Sequence, residues 1–230
     1  MIGDRVPDCC TMPHTAAVED TLRTVFVRSG RSEPVSTSAL ADELHVSPPT
    51  VSIMLKRLTA AGLLRRTDHH LAALTEHGAA HARDVVRRHR LLESFLAQEL
   101  GVPWDEVHAE ADALEHAVSE RLIDRIDRHL GRPERDPHGD PIPREAGGLD
   151  EGWGVRLDAA PAGSAFDVER VYDRDSAALR YLADLGIHPG VRIDVTERQP
   201  FGGPLWVRVG AADHPLGEPL THLVHGRVVV

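Results

Sequence analysis

Residues 36–75 read STSALADELHVSPPTVSIMLKRLTAAGLLRRTDHHLAALT and predict two short helices followed by a hairpin. Ser47 suits the N-cap of the second helix, and Pro48 suits its first position, where no backbone N–H is needed. From Val51 onward, apolar residues recur at intervals of three and four, which predicts a buried helical face. A turn near residues 68–70 joins two short strands. This order of elements indicates a winged helix-turn-helix, a unit that reads DNA.

The exposed side of the second helix and the hairpin carry side chains that suit DNA contact. Short hydroxyl and proline side chains at a helix start can contact phosphates and thymine methyl groups, and basic side chains can contact phosphates. Helix capping and solubility are the alternative explanations for the same residues. The predicted DNA-contacting residues are Ser47, Pro48, Pro49, Thr50, Ser52, Lys56, Arg57, Arg65 and Arg66.

The composition is that of a soluble globular protein, since 41% of the 230 residues are hydrophobic and 27% are charged. The net charge of −10 argues against a broadly basic nucleic-acid coat but allows a local basic patch. No apolar run reaches the length of a membrane span and no secretion signal opens the chain, so we expect a cytoplasmic protein with no membrane partner. Cys9 and Cys10 are too few for a disulfide framework, and they fall in a predicted flexible tail, residues 1–13.

Two further patterns place metal-binding types of side chain on shared helix faces. They are His89-x3-Glu93 and His108-x3-Asp112-x2-Glu115-His116, and spacings of three and four align side chains along a helix. Imidazole and carboxylate groups are ligands that divalent first-row metals accept, although solvated polar faces show the same spacings. With 15 histidines in the chain, chance pairs are expected. We therefore interpret nine of them as bystanders: His69, His70, His77, His81, His129, His138, His214, His222 and His225.

The patterns after residue 75 predict three more parts and a fold that is mainly α with a small β domain. Two long amphipathic helices, about 76–99 and from Pro103 past Ile126, are of a kind that forms dimer interfaces. A Pro- and Gly-rich segment then precedes alternating strands around one short helix, which predicts a small β-barrel. The predicted domains are the winged helix-turn-helix at 1–75, a helical metal-binding and dimerisation domain at 76–140, a linker at 141–160 and the β domain at 161–230.

In this order and spacing, the motifs resemble the diphtheria-toxin-repressor family of metal-dependent transcriptional regulators. The resemblance implies an SH3-like C-terminal domain, a homodimer, and double-stranded operator DNA bound by one or two dimers, with no small organic ligand. Its carriers are Val18-Glu19-Asp20-x-Leu22-Arg23-Thr24, Ser47-Pro48-Pro49-Thr50-Val51-Ser52, Arg88-His89-Arg90-Leu91-Leu92-Glu93, Val107-His108-x3-Asp112-x2-Glu115-His116-x2-Ser119, Gly139-Asp140-Pro141-Ile142-Pro143 and Leu185-Gly186-Ile187-x2-Gly190.

The resemblance also implies two metal sites in each subunit. The regulatory site is expected to use Asp20, Asp112, Glu115 and His116. The ancillary site is expected to use His89, Glu93 and His108 with an acid from the C-terminal domain, which aligns with Asp175. An amide ligand that family members add from that domain falls on Ala178, which cannot bind a metal through its side chain. The ancillary site is therefore expected to be incomplete or completed by water.

The ligand types at the regulatory site indicate the metal. Where iron-dependent members carry Met and Cys, this chain carries Asp20 and Asp112, and hard oxygen donors suit Mn²⁺. The manganese branch adds a second acid on the first helix, but Arg23 stands there, so one Mn²⁺ per regulatory site is expected. The predicted function is a Mn²⁺-activated repressor of metal-homeostasis genes.

Several alternatives to that function stay open. One is an iron-dependent repressor of the same family, and another is a DNA-binding protein with a purely structural metal site. Fe²⁺, Co²⁺, Zn²⁺, Ni²⁺ or Cd²⁺ can substitute for Mn²⁺, because Mn²⁺ is the weakest binder of the divalent first-row series. An enzyme is not expected, since the chain has no HExxH motif and no Gly-rich phosphate loop.

Overall fold

The structure is a computed structural model that describes residues 15–144 and 152–229. The predicted tail with Cys9 and Cys10, and part of the predicted linker, lie outside the described residues. Of the described residues, 15–88 and 143–144 belong to one compact unit, and 89–142 and 152–229 belong to a second. The predicted helical domain is thus divided between the two units, and most of it shares the second unit with the C-terminal sheet.

The first unit is a winged helix-turn-helix. Its elements are α1 (Ala16–Gly30), α2 (Thr37–Glu43), α3 (Pro48–Ala60) and the antiparallel pair β1 (Leu64–Arg66) and β2 (Ala72–Leu74). As predicted, the Ser47 hydroxyl caps α3 by accepting a hydrogen bond from the backbone N–H of Thr50. The core that orients α3 includes Leu22, Leu40 and Leu55, all of them buried.

The helical part of the second unit differs from the prediction of one continuous helix past Ile126. Helix α4 spans Glu76–Leu100 and enters this unit at His89, and two shorter helices follow, α5 (Val107–Leu114) and α6 (Glu120–His129). The break comes at Ser119, whose side chain caps α6 by accepting a hydrogen bond from the N–H of Leu122. An apolar repeat alone does not reveal this break, because Leu114 and Leu122 continue the repeat in the sequence although both are exposed in the structure.

The C-terminal part of the second unit is a six-stranded antiparallel sheet in the order β3-β8-β4-β5-β6-β7. Phe166, Ile193 and Val207 are buried in its core with Leu179 of its helix. Strands are present around Phe166, Ile193, Val207 and Val228, in the segment where the sequence predicts alternating strands. The elements are β3 (Val155–Arg156), a 3-10 turn (Leu157–Ala159), β4 (Ala165–Val171), α7 (Ser176–Asp184), β5 (Arg192–Arg198), β6 (Leu205–Val209), β7 (Ala212–Leu216), α8 (Glu218–Thr221) and β8 (Val224–Val229).

These elements confirm the predicted fold class, a mainly α chain with a winged helix-turn-helix, a helical domain and a small β domain. Strand β7 was missed because its sequence, Ala-Asp-His-Pro-Leu, contains no β-branched or aromatic residue. Among the described helices, none is long and apolar enough to cross a membrane.

Candidate metal centre

Three residues from α4 and α5 form the first group of metal-binding side chains. The Nε2 atom of His89 lies 3.0 Å from Oε1 of Glu93 and 3.1 Å from Nδ1 of His108. The same oxygen of Glu93 lies 3.0 Å from Nδ1 of His108. His89 and Glu93 are buried and one turn apart on α4, so both point toward α5. The structure therefore brings together the three helical residues predicted for the ancillary site.

The acid that the C-terminal part adds to this group is Asp173. Its Oδ2 atom lies 3.2 Å from Nδ1 of His108. The carboxylate of Asp175 instead caps α7 by accepting hydrogen bonds from the backbone N–H groups of Ala177 and Ala178, both at 3.0 Å. Sequence comparison across a variable linker does not separate two acids two residues apart, whereas helix capping engages one of them. The structure thus offers Asp173 in the place where Asp175 was predicted.

A fully buried histidine, His138, extends the group. The sequence predicts a bystander at this position, but the Nδ1 atom of His138 lies 3.9 Å from Oε2 of Glu93. Its Nε2 atom donates a hydrogen bond of 2.7 Å to the carbonyl of Trp104, so in the neutral ring Nδ1 is the acceptor. Donor atoms of Glu93, Asp136 and His138 all lie within 4.8 Å of one another. The only sequence signal for Asp136 and His138 is their position just before the Gly139–Pro143 motif.

The loop that carries Asp136 and His138 is anchored on β4. The Val171 N–H donates a 3.0 Å hydrogen bond to the carbonyl of His138. Gly139 has a φ of +89°, and a Cβ atom there would lie 2.0 Å from the carbonyl oxygen of Glu169. Arg170 is almost completely buried, and its Nε atom lies 3.1 Å from Oδ1 of Asp140. The β domain therefore fixes the backbone that presents His138.

Arg90 holds the acids of the same loop. Its guanidinium lies 3.7 Å from Oδ2 of Asp136 and 3.5 Å from Oδ2 of Asp140, and it donates a 2.6 Å hydrogen bond to the carbonyl of Pro141. Burial, followed by the charges of Asp140 and Glu93, raises the pKa of Asp136 well above its usual value, although Arg90 acts in the opposite direction. Arg90 thus only partly offsets the effect of burial and of the neighbouring carboxylates on Asp136.

The charges of Glu93 and His108 depend on each other. Burial alone would raise the pKa of Glu93, but the charge of His89 and hydrogen bonds with His108 and His89 lower it well below its usual value. Burial alone would lower the pKa of His108, but Asp173 and Glu93 raise it well above its usual value. The two carboxylates thus favour the protonated form of His108. A bound cation would replace that proton.

The unused donor atoms of this group fit a divalent cation. Within residues 15–144 and 152–229, the buried Glu93 Oε2 and His138 Nδ1 atoms have no hydrogen-bond partner. They lie 3.9 Å apart, which is too far for a hydrogen bond. A single ion with bonds of about 2.0–2.2 Å to nitrogen and oxygen can contact both. The donors are carboxylate oxygens and imidazole nitrogens, which suit Mn²⁺, Fe²⁺ and Zn²⁺ alike.

A second group of side chains lies on the other edge of the His89 ring. Its Nδ1 atom is 2.8 Å from Oε2 of Glu115 and 3.4 Å from Oδ1 of Asp112. Helix α5 ends at Leu114, so Glu115 is its C-cap residue. The side chain of Glu115 is completely buried. The next residue, His116, places its Nε2 atom 3.5 Å from Oε1 of Glu115. Three of the four residues predicted for the regulatory site are therefore neighbours.

The remaining predicted residues belong to the first unit. Asp20, the fourth regulatory residue, is half-buried on α1, and its place in a metal site stays a prediction. The predicted DNA-contacting residues are exposed on α3, its N-terminus and β1, except for Ser52, which is half-buried. Ile53, which is 61% exposed, adds an apolar side chain to the same helix face. The structure thus presents these residues to solvent, as DNA contact requires.

Family descriptions match three consecutive segments of the chain. "Iron dependent repressor, N-terminal DNA binding domain" matches residues 14–70, and "Iron dependent repressor, metal binding and dimerisation domain" matches residues 75–144. "FeoA domain" matches residues 155–227. The iron-dependent repressor IdeR of Mycobacterium tuberculosis strain H37Rv is 38% identical over 216 residues, which cover 88% of this chain and 93% of the relative. The diphtheria toxin repressor of Corynebacterium diphtheriae is 27% identical over 217 residues, with coverage of 88% and 93%.

Solved structures with similar folds include manganese regulators. A manganese-dependent transcriptional repressor in complex with manganese is 41% identical, with a TM-score of 0.82, covering 90% of this chain and 97% of that one. ScaR with bound Cd²⁺ is 31% identical, with a TM-score of 0.78 and coverage of 92% and 98%. The relatives therefore include proteins named for iron and proteins named for manganese.

Proposed function

Because the chain belongs to the family of metal-dependent transcriptional repressors that includes IdeR and the diphtheria toxin repressor, we propose that it is a repressor activated by Mn²⁺. One observation carries the choice of metal. The predicted ligands, with Asp173 and His138 added, include no sulfur atom, and the choice rests on the two positions where iron-type members carry sulfur, because carboxylate and imidazole alone accept Mn²⁺, Fe²⁺ and Zn²⁺ alike. Iron-type family members use Met and Cys where this chain has Asp20 and Asp112, and loss of soft sulfur donors favours Mn²⁺ among the ions available.

We assign the described groups to two roles. His89, Glu93 and His108, with Asp173 and with Asp136 and His138 beside Glu93, form the ancillary centre. Its ligands come from α4, α5, the 136–140 loop and the turn before α7, so a cation there holds the helical part of the second unit to its β domain. A bound cation supplies positive charge in place of the proton on His108.

The regulatory centre is assigned to Asp20, Asp112, Glu115 and His116. Asp20 belongs to α1, whose residues Leu22 and Phe26 lie in the core that orients α3. Ligation of Asp20 together with residues at the end of α5 therefore fixes the recognition helix. This stabilises the conformation that binds operator DNA, and the metal acts through its higher affinity for that conformation.

The DNA partner is assigned to α3 and β1. A homodimer presents two copies of α3 to the two halves of an operator, and the target genes on this proposal are those of metal homeostasis. Ser47 and Thr50 approach phosphates at the start of α3, while Arg65 and Arg66 approach phosphates from the wing. Exposure of these side chains supports the assignment.

The test is a comparison of metals in operator binding. Operator sequences are selected from a random DNA pool with the protein in Mn²⁺ buffer and, separately, in anaerobic Fe²⁺ buffer. The affinity for the selected DNA is then measured against the free concentration of each ion. The proposal requires that Mn²⁺ activates DNA binding at free concentrations within its buffered cellular range. A stronger response to Fe²⁺ at matched cell-like concentrations would reject manganese.

An iron-dependent repressor is the second candidate, and it has a specific observation in its favour. The IdeR relatives, named for iron, are 38% identical across 88% of this chain. Changing Asp20→Met together with Asp112→Cys restores the sulfur donors of iron-type members. If the protein responds to Mn²⁺, this double variant should shift its response toward Fe²⁺, Co²⁺ or Ni²⁺. DNA binding that persists in a chelator would instead indicate a constitutive DNA-binding protein with a structural metal.

A further inference from the structure

We propose that His89 couples the two metal centres: its Nε2 atom is the ligand of the ancillary centre, while its Nδ1–H donates to Glu115 and orients that carboxylate for the regulatory centre. The inference rests on the proposed function, since it requires both centres to bind a metal. It assigns to one ring two roles that the predicted ligand sets keep separate.

The geometry places one carboxylate at each edge of the ring. Nε2 lies 3.0 Å from Glu93 Oε1 and 3.1 Å from His108 Nδ1. Nδ1 lies 2.8 Å from Glu115 Oε2. His89 is 5% exposed, and Glu93 and Glu115 are 1% and 0% exposed, so water does not compete for either edge. The two groups of side chains therefore meet at this imidazole.

Neutral imidazole has one nitrogen with a lone pair and one nitrogen that carries hydrogen. If Nε2 binds a metal, Nδ1 must carry the hydrogen, and Glu115 Oε2 is the acceptor at 2.8 Å. If Nδ1 binds a metal, Nε2 carries the hydrogen and donates to Glu93. His89 can thus be a ligand at one centre only, and at the other it acts as a donor to a ligand. A histidine ligand that donates its second N–H to a carboxylate is the common arrangement in metal sites.

The surroundings favour Nε2 as the metal-binding atom. Each edge completes a three-residue set within 4.8 Å, with Glu93 and His108 at Nε2 and with Asp112 and Glu115 at Nδ1. The two sets differ in burial, because the side chain of Glu93 is 1% exposed whereas that of Asp112 is 43% exposed. On the other edge, Glu115 is already divided between two neighbours, with Oε2 toward His89 and Oε1 3.5 Å from Nε2 of His116. A hydrogen bond from His89 to Oε2 leaves Oε1 on the side of His116, its partner in the regulatory centre.

This arrangement predicts positive coupling between the centres. A cation at Glu93 and His108 holds His89 in the Nδ1–H form, and that form holds Glu115 in the position that the regulatory centre needs. Without it, both ring nitrogens of His89 face carboxylates, and no metal bond fixes which of them carries hydrogen. Removal of partners that orient metal ligands typically lowers metal affinity about 10–100-fold.

The first experiment identifies the tautomer in the unaltered protein. The probe is Cd²⁺, a diamagnetic ion, added to the full chain labelled with ¹⁵N at histidine, and the readout is long-range ¹H–¹⁵N correlation spectra. We expect the Nε2 resonance of His89 to show a bond to Cd²⁺ and the Nδ1 resonance to show a bound hydrogen. A Cd²⁺ bond at Nδ1, or no Cd²⁺ bond to His89, overturns the inference.

The second experiment separates the two edges of the ring with amide side chains. Asn places its amide near the position of Nδ1, and Gln places its amide near the position of Nε2. We expect His89→Gln to lower Cd²⁺ affinity at the regulatory residues by about tenfold more than His89→Asn does, because loss of a donor that orients a metal ligand typically has an effect of that size. Equal losses in the two variants overturn the inference. His129→Gln and His129→Asn, at a histidine whose side chain is 59% exposed on α6, are the matched controls.

Failure of the proposed function would look different. In that case DNA binding would be unchanged by a chelator, and Cd²⁺ would not shift the resonances of His108, His116 or His138. If Cd²⁺ shifts those resonances and activates DNA binding while His89 keeps Nε2–H, only the coupling is wrong. If neither variant of His89 folds, the spectra of the unaltered protein still decide.

Discussion

Val171 and His138 are joined through their backbones, since the N–H of Val171 on β4 donates a 3.0 Å hydrogen bond to the carbonyl of His138. This bond holds the loop that presents Asp136 and His138 to Glu93 against β4. The β domain is therefore part of the candidate ancillary centre in two ways, since it provides Asp173 and it fixes the loop.

Gly139→Ala should disrupt the ancillary centre without removing any ligand. The added Cβ would lie 2.0 Å from the carbonyl oxygen of Glu169, and the φ of +89° disfavours any side chain. We expect Mn²⁺ affinity at this centre to fall by at least tenfold, measured by calorimetry. Gly131→Ala is the control, because its φ is also positive, at +73°, while nothing lies within 4 Å of its Cβ. Equal effects of the two changes on Mn²⁺ binding would contradict the role given to the loop.

Arg170→Met should destabilise the second unit even without metal. Arg170 is 1% exposed, pairs with Asp140 at 3.1 Å, and its guanidinium lies 4.4 Å from the ring centre of Trp153. Its loss leaves a buried carboxylate with one arginine fewer, which typically costs about 3–5 kcal/mol. Urea unfolding in a chelator measures the change in free energy. Arg192→Met, which removes an exposed pair with Asp167, should leave the midpoint unchanged, and a similar loss there would refute the argument.

The stability of the metal-free protein should fall as pH rises above neutral. Asp173 and Glu93 raise the pKa of His108 well above 6.5 despite burial, with His89 and Asp112 as its other titratable neighbours. A group whose pKa is raised in the folded state contributes stability that is fully present below the unfolded pKa of 6.5. This contribution is lost as pH rises through the folded pKa. Mn²⁺ competes with the same proton, so its affinity should rise over that window.

Urea unfolding in a chelator and Mn²⁺ calorimetry from pH 6 to pH 9, as a rough range around the histidine pKa, check both trends. His108→Gln keeps a polar side chain but no titration, and it should flatten the stability profile. The explanation fails if the profile of this variant still follows that of the unaltered protein.

The two centres should differ in how far they control DNA binding. His116→Ala removes a regulatory ligand and should abolish metal-dependent operator binding. His138→Ala should weaken Mn²⁺ binding and activation without abolishing them, because the ancillary centre does not include α1. Operator affinity at saturating Mn²⁺, measured together with Mn²⁺ binding by calorimetry, distinguishes the two variants. Equal loss of activation in both variants would remove the distinction between a regulatory and an ancillary centre.

Arg57→Ala should affect DNA and leave metal binding intact. Arg57 is exposed on α3, and loss of one phosphate contact should weaken binding across sequences and reduce the salt slope by about one. Fluorescence anisotropy at several salt concentrations measures both quantities, and calorimetry checks Mn²⁺ binding. Arg227→Ala, at an exposed residue of β8, is the control. An unchanged salt slope for Arg57→Ala would show that this residue does not contact phosphate.

Local sequence patterns were sufficient for most of the fold. Ser47 and Pro48 predict the start of α3, because helix capping involves residues at most four positions apart. The alternation around Ile193 and Val207 predicts a hairpin for the same reason. The pairing of His89 with Glu93 follows from one helical turn. In each case the interacting residues are close in sequence, so their spacing alone predicts the structure.

Tertiary packing decided the rest, because the deciding contacts join residues far apart in the chain. Helix α5 ends at Leu114, and Glu115 at its C-cap is buried against His89 on α4, 26 residues away in sequence. Asp175 was engaged by the α7 N-terminus, which left Asp173 to face His108 across 65 residues of sequence. The neighbourhood of His138 and Glu93 depends on how β4 anchors a Gly-containing loop. No periodicity encodes such contacts, since they arise only when helices and sheet exclude water from a shared core.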